Sequence, residues 1–151
     1  MTESDIDPQS RLRYADDILS TAAQQLESLL REAAQLLRPF PPFPGAFFTY
    51  GVEVEVAQVQ DTRVGCVVVT EDGSLMELQI SLDDDPSFGQ ADPVSMRDEQ
   101  LVEVELAPHD RLLFAYEGLR LITGLLREAR LTAREAGSEQ DASKPAGGQT
   151  E

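Results

Sequence analysis

Leu12, Ala15, Leu19, Ala22, Leu26, Leu29, Ala33 and Leu36 recur in alternating steps of three and four. That spacing returns to one side of a helix and predicts a long amphipathic helix carrying a seven-residue repeat. Ala23, Leu30 and Leu37 widen the stripe. Ser20, Gln24, Glu27, Arg31, Gln35 and Arg38 fall opposite, with Glu27 four residues before Arg31 in the favourable order for an ion pair. Asp7 is placed to cap the helix, Pro8 to take its first position, and Pro39 to stop it.

After Arg38 the run Pro39, Phe40, Pro41, Pro42, Phe43, Pro44, Gly45 makes a stiff extended connector, with Phe40 and Phe43 plugging the core edge. Arg38, Pro41 and Pro44 also match a polyproline spacing read by aromatic-grooved domains, but a connector between helix and strand already accounts for them.

The period then changes to two. Residues 47–60 alternate Val52, Val54, Val56 with Glu53, Glu55, and Asp61, Thr62, Arg63 turn the chain into a Val-rich strand over 63–70. Glu71, Asp72, Gly73, Ser74 make a hairpin turn into a third strand over 75–82. There Met76, Leu78, Ile80 and Leu82 are expected inward, and Glu77, Gln79 and Ser81 outward. Residues 83–93 read as a loop and 94–99 as one helical turn. A fourth strand over 101–106 puts Val102, Val104 and Leu106 inward and Glu103 and Glu105 outward.

A second long helix runs from Pro108 to Gly137, with Leu112, Ala115, Leu119, Ile122, Leu126 and Ala129 as its stripe and Arg127, Arg130 and Arg134 near its negative end. Gly118 and Gly124 each cost about 1 kcal/mol in a helix interior, which implies a close backbone approach at both. The fold expected is α+β: a four-stranded antiparallel meander flanked by long N- and C-terminal helices packed on one face. It forms a single domain over 8–137, with 1–7 flexible and 138–151 a disordered tail.

The layout of helix, three strands, short helix, strand and helix in a small acidic chain is broadly similar to that of type III secretion chaperones, with one strand fewer. That resemblance implies a dimeric protein-binding module and transfers no binding residue.

Charge sharpens the picture. The 151 residues hold 28 acids and 12 bases, a net of −16, and residues 48–106 alone carry 14 acids against 2 bases. Such a chain repels nucleic acid and anionic lipid, and its acidity serves either solvation or a basic partner. With no leader-like start and no long apolar run, the chain is expected to be cytoplasmic, with no membrane partner.

Reactive chemistry is sparse. His109 and Cys66 are the sole members of their types, no phosphate loop or paired-cysteine spacing occurs, and no nucleophile–base set assembles, so neither an enzyme nor a cofactor is expected. Cys66, in an apolar strand, reads as core filler. Asp83, Asp85 and Asp92 offer oxygens for a divalent cation, although Phe88 stands where a calcium loop needs glycine.

The leading expectation is a non-catalytic interaction module, chaperone-like or adaptor-like. Glu53, Glu55, Glu77, Glu103 and Glu105 would meet a basic protein surface or segment. A 30-residue helix is about 45 Å long against a domain diameter of roughly 36 Å, so the first helix overhangs; Leu12, Leu19, Leu26 and Leu29 are then expected to form a homodimer contact. The alternative is a small-molecule or divalent-cation domain with a pocket near Phe47, Phe48, Tyr50, Phe114 and Tyr116.

Overall fold

The computed structural model of the chain describes residues 7–59, 63–82 and 97–142. Two helices and four strands follow in the order α1 (Pro8–Leu36), β1 (Val52–Glu53), β2 (Cys66–Val69), β3 (Leu75–Leu82), β4 (Arg97–Glu103) and α2 (Pro108–Ala142). The strands form one antiparallel meander in sequence order, and the helices pack on each other and on one sheet face, the α+β arrangement expected.

Asp7 takes the cap position of α1 through its carbonyl, which accepts the N–H groups of Ser10 (2.9 Å) and Arg11 (3.3 Å); its side chain makes no cap bond. At the other end the Arg38 guanidinium donates to the carbonyls of Ala34 (3.0 Å) and Leu37 (2.7 Å), satisfying acceptors that a helix end leaves open.

The buried line on α1 is Ala23, Glu27, Leu30, Ala34 and Leu37, whereas Leu12, Leu29 and Leu36 are exposed. The inward face is therefore the flank of the expected stripe, and it includes a glutamate expected in water. Glu27 is tolerated there because Arg111 of α2 donates to both its oxygens, Nε to Oε1 at 2.6 Å and Nη2 to Oε2 at 2.7 Å. Residues 8–18 of α1 are exposed throughout, as are 127–141 of α2, so both helices project past the sheet.

The core joins Leu30, Ala34, Leu37 and Phe40 to Val54, Val67 and Val69 of the sheet and to Phe114 and Ile122 of α2. Gly118 of α2 faces this core, where an added Cβ would sit 3.0 Å from Val69 Cγ2 and 3.3 Å from Leu30 Cδ2. The neighbours of Gly118 are side chains, and Gly124 has nothing within 4 Å of such an atom, so the close backbone approach expected at both glycines is found at neither.

The β2–β3 turn closes as expected. Thr70 N–H donates to Ser74 O (2.9 Å) and Gly73 N–H to Thr70 O (2.8 Å), while Asp72 accepts from the Thr70 hydroxyl and from Ser74 N–H (3.0 Å). The Thr70 hydroxyl and then the Ser74 N–H hold the Asp72 carboxyl below its ordinary pKa. Gly73 has φ +84°, and a Cβ there would strike the Arg31 main chain, with its nitrogen 2.9 Å away.

Several boundaries differ from expectation: β2 covers Cys66–Val69 rather than 63–70, and β4 ends at Glu103 rather than 106. β1 shrinks from 47–60 to Val52–Glu53, because the chain before it pairs with the proline segment instead. β4 starts at Arg97, so 97–99 are strand rather than helical turn: the eight-residue β3 offers these residues a ladder that local propensity cannot see. α2 continues through Gly137 to Ala142, since glycine ends a helix only where the chain must turn.

Candidate functional site: the outer sheet face and its aromatic arch

Residues directly opposite in an antiparallel sheet point to the same side, so the register assigns the faces. Val52, Val69 and Leu75 form one cross-strand row and Val67, Glu77 and Val102 the next. These belong to the helix side, where Val67 and Val69 enter the core. The opposite, outer side carries the rows Glu53, Val68, Met76, Glu103, then Cys66, Leu78, Leu101, then Ile80 and Glu99.

This inverts the expectation for β3: Met76, Leu78 and Ile80 face away from the helices, and Glu77 and Gln79 towards their side. Alternation says which residues share a face, not which face is inner. β2 is apolar on both sides, with Val67, Val68 and Val69 all buried, so it supplied no local signal to choose.

The outer face is not simply solvated. Residues 41–51 fold into a small arch: Gly51 N–H donates to Pro41 O (3.1 Å), Phe43 N–H to Thr49 O (2.9 Å), and Pro42 bridges Tyr50. Its tip is held by one carboxylate. Glu99 accepts Phe47 N–H at 2.6 Å and, on its other oxygen, Phe48 N–H at 3.1 Å and the Thr49 hydroxyl at 2.8 Å. β1 and β4 are opposite edges of the sheet, so this clamp draws the arch across the outer side. Beneath it Val68 and Leu78 are buried.

The Glu99 side chain is 3% exposed. Burial opposes its ionisation, but the Phe47 N–H, Thr49 hydroxyl and Phe48 N–H, with Arg97, outweigh burial and hold its carboxyl below the ordinary glutamate pKa. Arg97 Nε lies 3.4 Å from Glu99 Oε1, and its guanidinium sits 5.1 Å from the Phe47 ring centre.

The arch displays rather than hides its aromatics. Phe47 is 56% exposed, Phe48 69% and Tyr50 54%, and Ile80 (42%) and Leu101 (39%) lie open on the same side of the sheet. Glu53 and Glu103 end one cross-strand row, three strand spacings or about 14 Å apart. Glu53, Glu55, Glu103 and Glu105 are exposed, whereas Glu77 is half-buried with its carboxylate over Gly65. The five glutamates thus do not form one field: acid flanks an apolar centre.

Cys66 is half-buried rather than core filler, with Sγ 3.6 Å from Glu53 Oε1. Burial, then the charge and hydrogen bond of Glu53, then Glu55 and Glu77, push its pKa up to about 11, which leaves it a poor nucleophile. His109 is exposed, its Nδ1 3.4 Å from Asp110 Oδ1.

The remaining candidate residues scatter. Leu12 and Leu29 are exposed and Leu19 and Leu26 half-buried along α1. Phe114 is buried in the core while Phe47, Phe48 and Tyr50 stand on the arch and Tyr116 on the surface of α2, so these five do not line one pocket. A different cleft, of about 430 Å³, opens beside the Glu27–Arg111 pair and is lined also by Arg31, Gly73, Glu103 and Glu105. Asp83, Asp85 and Asp92 lie outside the described residues; among the described residues no three potential metal ligands converge. No described helix is long and apolar enough to cross a membrane.

Sequence reasoning missed Glu99 and the arch tip. The Pro44-Gly45 pair before two phenylalanines was a legible turn signal, but nothing local joins Phe47 to a glutamate 52 residues away. Comparison of the chain with protein-family models, with curated proteins and with solved structures finds no match.

Proposed function

We propose that the chain is a cytoplasmic, non-catalytic protein-interaction module, chaperone-like or adaptor-like, that receives a basic and partly apolar partner segment on its outer sheet face. One observation carries this reading: Phe47 and Phe48 are exposed while their backbone is fastened to Glu99. Exposed aromatics on a fixed frame lose little entropy on binding, and an apolar centre between acidic flanks has the anatomy of an interface. The acids supply orientation, and attraction to cations that salt weakens.

Exposed Leu12 and Leu29, with half-buried Leu19 and Leu26 between them along α1, support a homodimer through these four leucines. Their partner would be the same stripe of a second copy.

The test is partner capture from native cells by the unaltered chain, by Phe47→Ser/Phe48→Ser and by Glu53→Lys/Glu103→Lys. The expected result is a basic partner held at low salt and released at high salt, and lost from both variants. A partner retained equally by all three chains would refute the reading. A second reading, a small-molecule or divalent-cation domain, is favoured by the cleft beside Glu27 and Arg111; thermal-shift screening against metabolites and metals tests it.

A further inference from the structure

We propose that the partner segment binds as an added β-strand along the free edge of β4, a mode that rests on the outer-face reading and makes it specific. Among the described residues β4 has one neighbour, β3, and no other described strand pairs with the N–H and C=O groups of its far side over Arg97–Glu103.

Three features select the occupant. Asp98, Glu99 and Glu103 against Arg97 give β4 a charge of −2, so edge-to-edge pairing with a second copy sets like charges together, whereas a cationic strand is attracted. On the outer side Leu101 lies in the row of Leu78, two residues along β4 from Glu99, which holds the arch tip, so a residue added opposite it meets apolar surface. On the helix side Val102 lines a cleft of about 390 Å³ with Glu77, Glu103, Glu105 and Arg63, and this excess of acid over base suits a long cationic side chain descending beside Val102. An extended segment that alternates apolar and basic residues satisfies both sides at once, because strand side chains alternate with period two.

The probe is an acetylated, amidated heptapeptide of alternating lysine and valine, with a block-ordered peptide of the same composition as control. Amide exchange of the full chain reads the backbone directly. Alternate amides between Arg97 and Glu103 gain about tenfold protection or more with the alternating peptide and not with the control. N-methylation of the peptide amides on one edge weakens binding at least about tenfold; on the other edge it leaves binding unchanged.

Binding without protection of β4, but lost in Phe47→Ser/Phe48→Ser, overturns strand addition while leaving the outer-face reading intact. No binding of the alternating peptide overturns strand addition, and partner capture then judges the outer-face reading separately. Protection of β4 that rises with protein concentration and no peptide overturns it in favour of a second copy.

Discussion

Replacing Glu99 with glutamine tests whether one carboxylate holds the arch. The carboxylate receives three hydrogen bonds, at 2.6, 2.8 and 3.1 Å, and is almost wholly buried. Bonds to a charged acceptor contribute roughly 1.5–3 kcal/mol each, but the Phe47 and Phe48 amides are near water and recover part of theirs once released. Glu99→Ala should therefore cost about 3 kcal/mol. Glutamine keeps the shape and one acceptor, and the Thr49 hydroxyl can turn to accept from its amide. One donor then faces a donor, a loss of about 1.5 kcal/mol.

Urea unfolding followed by circular dichroism measures the difference, and amide exchange over 41–51 locates it. The sign of its pH dependence is set by the depressed pKa. The carboxylate's contribution is complete above the unfolded-state value of about 4.3, and it disappears as pH falls through the lower folded-state value. The gap between the native chain and Glu99→Gln should thus be constant near neutrality and close in acid. A gap below about 0.5 kcal/mol at pH 7 would refute the clamp, as would one indifferent to pH.

Glu27→Ala strands Arg111 at the helix junction and should cost about 2 kcal/mol in urea unfolding; Glu27→Leu with Arg111→Leu should recover most of it, and equal loss in both would contradict the pairing. Gly73→Ala, at φ +84° against the Arg31 backbone, should destabilise by about 3 kcal/mol, whereas Gly124→Ala, with open space around it, should stabilise by about 0.5–1 kcal/mol; thermal melts with the opposite order would rule out this account of the two glycines. Cys66 should react with a disulfide reagent at a rate that climbs towards pH 11, with about one part in a thousand ionised at pH 8; a midpoint at the free-thiol value near 8.5 would show that its acidic surroundings do not act on it. Light scattering should give a dimer mass for the native chain and a monomer for Leu12→Glu/Leu19→Glu, and a native monomer would remove the α1 contact.

Much of the candidate site was visible as composition and little of it as geometry. The acidic middle of the chain and the exposed glutamates at 53, 55, 103 and 105 follow from alternation. Glu77 does not, because its strand could present either edge of its pattern to the helices. The charge of Glu27 argues locally for water; a single arginine 84 residues away reverses the balance. Phe47, Phe48 and Glu99 became a unit only when the arch crossed the sheet.

Periodicity and turn chemistry within a few neighbours suffice for the starts of both helices, the third strand to its last residue, the Gly73 turn and the α+β class. Tertiary structure decided which flank of α1 is dry, which face of β3 is inner, where β4 begins and what Glu99 holds. Each of those is a choice between locally equivalent options, and only the energy of pairing and burial between segments distant along the chain separates them.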